Sequence, residues 1–149
     1  MYRRKRNPLV IFCDAALRTD LQAVGLAAIV MDFRGVIQAC WSERREWMGN
    51  NAAEYAAVHM ALQQVRRNRI LRPRQILICT DSRILVEQMQ GRAAVRAPQM
   101  RTAHALLRET VQQLGAPVTF RHVPRERNRL ADALANERAE GRVYVCPIR

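Results

Sequence analysis

The chain has 149 residues, of which 49% are hydrophobic and 26% charged, which fits one globular domain and excludes a disordered chain. Its longest apolar runs are too short to cross a bilayer and no signal peptide is recognisable, so a soluble, cytoplasmic protein is expected. The 25 basic residues, all but one of them arginine, exceed the 13 acidic ones and give a net charge of +12, so either a polyanionic partner or simply solvated arginines are indicated.

The predicted elements begin after a basic lead-in over residues 1–8. Apolar runs at 9–17, 24–32 and 35–41 predict three strands, the last two joined by a turn at Asp32 and Gly35. Helical spacing and helix-forming residues then predict helices at 50–68, 82–90, 98–114 and 127–140, with strands at 76–80 and 118–123 between them. An extended tail covers 142–149. The order β-β-β-α-β-α-α-β-α predicts one α/β domain, 1–149, with a mixed five-stranded sheet flanked by helices.

The four cysteines show neither a Cys-x-x-Cys pair nor a spacing typical of metal ligands. Cys13, Cys40 and Cys79 each lie in an apolar run, whereas Cys146 lies in the tail. Reduced thiols in the core are therefore predicted, rather than disulfides or a zinc site.

Four acidic residues occupy positions that each have a structural explanation. Asp14 interrupts a buried strand and could mark the point where that strand ends. Glu54 stands three residues after Asn51, as in a capping box. Asp81 could cap the helix that follows it, and Asp132 suits the first turn of the last helix.

Taken together, these carboxylates predict a metal centre. Three of them lie at helix N-termini and Asp14 lies toward the end of its strand, which is where sites form in such sheets. Carboxylates brought close together repel unless divalent cations lie between them, and oxygen-only ligands favour Mg²⁺ or Mn²⁺. Two such ions, about 4 Å apart, can activate water and stabilise the leaving oxygen of a phosphodiester. A basic surface around them would hold nucleic acid.

Four motifs in order resemble the type 1 ribonucleases H, in the shorter branch typical of archaea and plants. They are "IFCDAA" around Asp14, "NNAAEYAAV" around Glu54, "CTDSRILVEQMQG" around Asp81 and "HVPRERNRLADALA" around Asp132. The last two are the most specific because they are long. The resemblance covers residues 9–139 and implies the ribonuclease H-like fold.

The resemblance also implies endonucleolytic cleavage of the RNA strand of RNA/DNA hybrids by two Mg²⁺ ions, for which Mn²⁺ could substitute, leaving 3′-hydroxyl and 5′-phosphate ends. Asp14, Glu54, Asp81 and Asp132 match the catalytic metal ligands. Asn51 matches a position that contacts the hybrid in its minor groove, where an amide can bind 2′-hydroxyls. The other candidate substrate-binding residues are Asn50, Ser82, Arg125 and Asn128. A monomer is expected, with double-stranded RNA as a second candidate substrate.

The chain departs from the family pattern in three places. Ala15 stands where glycine is common after the first aspartate. The segment "VPRERN" is several residues shorter than the loop that carries a histidine in better-known bacterial members. That role is not transferred to His122, which lies on the preceding strand, while Arg125 and Glu126 are candidates to replace it in part. A basic helical protrusion is missing, since only "GRAAVRA" separates two helices, which leaves hybrid binding to scattered arginines.

Two other functions remain open on the sequence alone. The first is a catalytically silent module of the same fold that only binds hybrid or double-stranded RNA. Retention of all four acidic positions argues against it. The second is a transposase- or resolvase-like DNA nuclease, which fits the early helical Glu54 and the "TDS" strand tip less well.

Overall fold

The computed structural model describes residues 7–142. Five strands form one sheet in the order β3-β2-β1-β4-β5. The strands are β1 (Leu9–Arg18), β2 (Ala23–Asp32), β3 (Ile37–Glu46), β4 (Ile76–Thr80) and β5 (Val118–His122). The helices are α1 (Asn50–Arg67), α2 (Arg83–Met89), α3 (Pro98–Gln113) and α4 (Arg129–Ala139), with single 3-10 turns at Thr19–Leu21 and Arg125–Arg127. The predicted element order and mixed sheet are confirmed.

The sheet is mixed because a hairpin pair precedes two crossover connections. β1 pairs antiparallel with β2, and β2 pairs antiparallel with β3. β4 and β5 add on the other side of β1, both parallel. The predictions for residues 1–6 and for the tail from 143 onward, including Cys146, lie outside the described residues.

The third strand is longer than its sequence suggests. The predicted strand ended at Trp41, whereas β3 continues to Glu46 and pairs along β2 as far as Ala23. Ser42 to Glu46 are polar, and this part of the edge strand is half-buried to exposed. Its backbone hydrogen bonds to β2 extend the strand where no hydrophobic alternation marks it.

The core lies on both faces of the sheet. Large side chains of β1, β2 and β4 pack with α1 and α3 in one cluster that includes Ile11, Leu26, Leu62 and Leu107. On the other face α4 packs against β1 and β2 through small residues, among them Ala16, Ala27, Ala131 and Ala135. The close approach depends on Gly25, because a Cβ there would stand 1.9 Å from the carbonyl oxygen of Ala135.

Cys13 and Cys79 are buried free thiols, and Cys40 is half-buried. The prediction that these residues belong to the core is confirmed for Cys13 and Cys79. None of the helices in residues 7–142 is both long enough and apolar enough to span a membrane.

Candidate metal centre

Asp14 is in the interior of β1, not toward its end as the sequence suggested. It is the sixth of ten strand residues, and its side chain is only 3% exposed. The pairing of β1 with β4 stops at Phe12 and Cys79. Asp14, two residues after Phe12, therefore lies just beyond the part of β1 that pairs with β4. The backbone N–H of Ala15 donates to its Oδ1 at 2.9 Å.

Glu54 does not belong to a capping box. Helix α1 already begins at Asn50, and its N-cap is Gly49, which makes no side-chain capping bond. Glu54 is therefore the fifth helical residue, one turn inside the helix, and it is 6% exposed. Its Oε2 is buried and has no hydrogen-bond partner among residues 7–142. A buried carboxylate oxygen of this kind is costly unless a cation or another donor satisfies it.

Asp81 follows β4 directly. Continuing the β1–β4 register by two residues beyond Phe12 and Cys79 places Asp81 level with Asp14. The helix cap at this point is Ser82, whose side chain accepts a hydrogen bond from the N–H of Leu85 at 3.4 Å. Ser82 therefore caps the helix, and the carboxylate of Asp81 does not.

Three of the four predicted carboxylates meet in space. Asp14, Glu54 and Asp81 each offer an oxygen within 4.8 Å of the other two. Asp132 lies outside this group, but close enough for its charge to raise the pKa of Asp14 and Glu54. Its Oδ1 accepts from Nδ2 of Asn136 at 3.2 Å. The structure thus places Asp132 beside a tight group of three.

Burial and mutual repulsion disfavour negative charge on all three carboxyl groups at once when no cation is bound. Burial, followed by the charge of Asp81, raises the pKa of Asp14 to about 7. Burial and the charges of Asp14 and Asp81 raise the pKa of Glu54 to about 9. Burial also raises the pKa of Asp81, although the positive charge of Arg125 opposes this. The oxygen-only donors and the unpaired Oε2 of Glu54 suit a hard divalent cation such as Mg²⁺ or Mn²⁺.

Two basic residues lie on the Asp81 side of the group. Arg125 is exposed in the 3-10 turn after β5, and the charges of Arg125 and His122 both oppose the rise that burial causes in the pKa of Asp81. His122 was given no role from the sequence. The parallel register sets His122 beside Thr80 at the tip of β4, and this register is not visible in the sequence.

Asn50 and Asn51 are exposed in the first turn of α1, one turn before Glu54. Neither side chain is used as a helix cap, so both amides can reach a ligand outside the protein. Their contact with substrate stays a prediction.

The substrate contact predicted for Asn128 is corrected by the structure. Its side chain is 1% exposed, and its Nδ2 donates to the carbonyl oxygen of Cys13 at 2.9 Å. The backbone oxygen of Asn128 also accepts the N–H of Asp132 at 3.0 Å. Asn128 therefore ties the start of α4 to β1 next to Asp14. The sequence pattern showed that this asparagine mattered, but not that it points inward.

Comparison with known proteins identifies the family of the chain. The family described as reverse transcriptase-like matches residues 12–138. The bifunctional protein Rv2228c of Mycobacterium tuberculosis is 29% identical in an alignment of 134 residues that covers 87% of this chain. The chain spans only about a third, 35%, of the length of the curated relatives that it matches.

Solved structures agree with the fold. LC11-RNase H1, solved in complex with an RNA/DNA hybrid, is 27% identical and superposes with a TM-score of 0.82 over 89% of this chain and 97% of its own. RNase H1 from the halophilic archaeon Halobacterium salinarum is 26% identical, with a TM-score of 0.81 over 91% and 99% of the two chains. The family match and these superpositions place the chain in the reverse transcriptase-like family, with the ribonuclease H fold.

Proposed function

We propose that the chain is a ribonuclease H that hydrolyses the RNA strand of RNA/DNA hybrids with two divalent ions, Mg²⁺ or Mn²⁺, leaving 3′-hydroxyl and 5′-phosphate ends. The observation that carries this proposal is the group of three carboxylates, whose oxygens lie within 4.8 Å of one another. It occurs in a fold shared with LC11-RNase H1, a protein solved with a hybrid bound.

The four carboxylates would differ in role according to their positions. Asp14, Glu54 and Asp81 would hold the ions, and Asp132 would complete the ligand set from the start of α4. The bound ions would neutralise the cluster, polarise the scissile phosphate and activate the attacking water. Because burial favours the protonated forms of Asp14 and Glu54, both carboxyl groups must release their protons when the ions bind.

The remaining residues of the site bind and orient substrate. Asn50 and Asn51 would contact the minor groove of the hybrid, where 2′-hydroxyls distinguish RNA from DNA. Arg125 lies beside Asp81 and would attract the phosphate backbone. The side chain of Ser82, already used as the helix cap, would contact substrate only at the edge of the site.

The proposal is tested with four labelled duplexes of one sequence: RNA/DNA hybrid, double-stranded RNA, double-stranded DNA, and a hybrid with the RNA strand 2′-O-methylated. Each is incubated with Mg²⁺ or with EDTA. We expect metal-dependent cuts in the RNA strand of the unmodified hybrid, with 5′-phosphate ends. Binding of hybrid without cleavage would instead indicate a silent binding module, and cuts in double-stranded DNA would indicate a DNA nuclease.

Asp81→Asn is the diagnostic variant because it keeps the shape of the side chain and removes the charge. Removing a residue that only supports a metal ligand lowers activity by up to roughly 100-fold. Removing a direct ligand such as Asp81 should lower hybrid cleavage by more than this. The matched control is Asp20→Asn, since Asp20 is exposed and pairs with Arg18 at 2.9 Å. Full activity of Asp81→Asn would exclude the assigned centre.

A further inference from the structure

A second concentration of positive charge lies at the far end of α1 from the carboxylates. It comprises five exposed arginines in the last turn of α1 and in the connection to β4, here called the distal arginine surface: Arg66, Arg67, Arg69, Arg72 and Arg74. Glu54 and Arg66 are separated along the helix axis by roughly 18 Å at 1.5 Å per residue. This surface is therefore distinct from the candidate metal centre.

The charge of this surface is not balanced by neighbouring acids. The sequence has no Asp or Glu from residue 55 to residue 80. Within residues 7–142, no carboxylate lies within ion-pair distance of any of the five arginines. Arg66 donates to Oε1 of Gln113 at 2.6 Å, and Gln113 in turn donates to Glu109 at 3.4 Å. Glu109 is thus the acid connected to the surface, and it acts through a neutral amide.

The dipole of helix α1 accounts for only some of the arginines in the distal arginine surface. Arg66 and Arg67 lie in the last turn of α1, where a cation is stabilised by the helix dipole. Arg69, Arg72 and Arg74 come after the helix end, so the dipole does not account for them. Like charges this close repel one another, which lowers stability unless an anion is bound.

The surface also has a recess of suitable chemistry. A cavity of about 290 Å³ lies between the end of α1, the connection to β4 and the turn after α3. Its walls include Arg66, Arg69 and Arg72, together with the amide side chains of Asn68 and Gln113. Guanidinium forks and amide donors around one recess are the groups that bind phosphate oxygens.

We infer that the distal arginine surface binds the phosphate backbone of a nucleic-acid strand that extends beyond the segment held at the carboxylates. The inference extends the proposed function, since it gives the same class of partner a second contact. Binding at this surface requires neither a metal ion nor the four carboxylates. Its occupant is recognised by charge, without base contacts, so its affinity falls steeply with salt.

The test compares the full chain with the variant Arg69→Gln/Arg72→Gln/Arg74→Gln. These three side chains make no hydrogen bond within the described residues, so the substitutions leave the fold intact, whereas Arg66 is kept because of its contact with Gln113. The charge-matched control is Arg34→Gln/Arg101→Gln/Arg142→Gln, which removes three exposed arginines outside the surface. Far-ultraviolet circular dichroism and urea unfolding verify that all three proteins are folded.

Binding is measured in EDTA by fluorescence anisotropy, using a short labelled hybrid and the same hybrid with a single-stranded RNA extension, over a range of NaCl concentrations. We expect the extension to tighten binding by the parent chain and by the control, but not by the distal variant. With the extended ligand, the slope of log K against log salt should be less negative by about 2 for the distal variant than for the parent chain. This is about 0.7 for each of the three lost phosphate contacts.

Two results would overturn the inference: an extension that helps the distal variant as much as the parent, or a control variant that loses the same increment. If the distal variant lost the parent's binding to anionic lipid vesicles but kept the tighter binding to the extended hybrid, the surface would be assigned to a membrane instead. Cleavage of the short hybrid with Mg²⁺ is measured separately. Its absence would refute the proposed ribonuclease activity without affecting the anisotropy result.

Discussion

The protonation of Asp14 and Glu54 links metal binding to pH. Both carboxyl groups are buried among other acids, and their pKa values rise to about 7 and about 9. A carboxyl group must lose its proton before it can bind a metal ion, so protons compete with the ion. We therefore expect the affinity of this group for a divalent ion to increase as the pH rises through about 7 and about 9.

The same pKa values predict how stability depends on pH in EDTA. Because the folded-state pKa values exceed the ordinary values of 3.8 and 4.5, the native state binds more protons than the unfolded state above pH 4. The contribution of these groups is thus fully present below pH 4 and is lost as the pH rises through about 7 and about 9. We expect the free energy of unfolding to fall by up to about 1.4 kcal/mol per pH unit for each titrating group.

Urea unfolding at pH 5, 7 and 9 measures this decline. Glu54→Gln should remove the part of the decline that extends to pH 9, because its amide does not titrate. Saturating Mg²⁺ should restore stability to the parent chain at alkaline pH and much less to the variant. Parallel profiles for parent and variant would contradict the assigned pKa of Glu54.

Asn128 gives a prediction about positioning at the same scale. Asn128→Ala leaves the carbonyl oxygen of Cys13 without its donor in the interior, which should cost about 1–3 kcal/mol of unfolding free energy. Asn50→Ala is the contrasting variant, because Asn50 is exposed and should change stability by less than about 0.5 kcal/mol. We expect Asn50→Ala to raise KM for hybrid instead. Equal stability of the two variants, measured in urea, would show that the Asn128 bond contributes nothing.

At the scale of elements, the position of α4 decides where Asp132 lies. The helix packs on β1 and β2 through alanines, and Gly25 provides the closest point of contact. Small residues on both sides bring the helix backbone near the sheet. This short distance, together with the Asn128 bond to β1, holds Asp132 beside Asp14.

Gly25→Ala tests this packing. The new Cβ would clash with backbone atoms of Ala135 and Ala139, which cannot rotate away as a side chain can. We expect α4 to shift, the unfolding free energy to fall by at least about 1–3 kcal/mol, and hybrid cleavage to decrease. Gly49→Ala is the matched control, since a Cβ at Gly49 would meet no atom of a non-neighbouring residue within 4 Å in the described part of the chain. A Gly25→Ala protein with parental stability in urea and parental kcat/KM would contradict the close contact.

At the scale of the whole molecule, we expect a monomer because of the net positive charge and the charged residues on the edge strand of the sheet. The net charge of +12 opposes self-association. The exposed edge strand β3 carries charged residues over its last part, from Glu43 to Glu46, and such residues discourage pairing with another chain. Sedimentation equilibrium at micromolar concentration should give the mass of one 17.1 kDa chain. A mass twice as large would show that the edge is not protected.

The sequence by itself determined the order of elements and the acidic residues of the site. Apolar runs and helical spacing are local signals, and they located β1, β4, α1 and α3 to within a residue or two. Asp14, Glu54 and Asp81 were found because each interrupts or ends such a run in a recognisable motif. The short β4, with hydrophobic residues in almost every position, marked the strand whose tip carries Asp81.

Only the tertiary structure decided which of these residues meet and which way they point. Pairing register set Asp81 level with Asp14 and His122 beside Thr80. Long-range packing turned Asn128 inward to Cys13. Sequence periodicity reports the faces of single elements, whereas register and packing depend on contacts between residues far apart in the chain. Those contacts exist only in the folded protein.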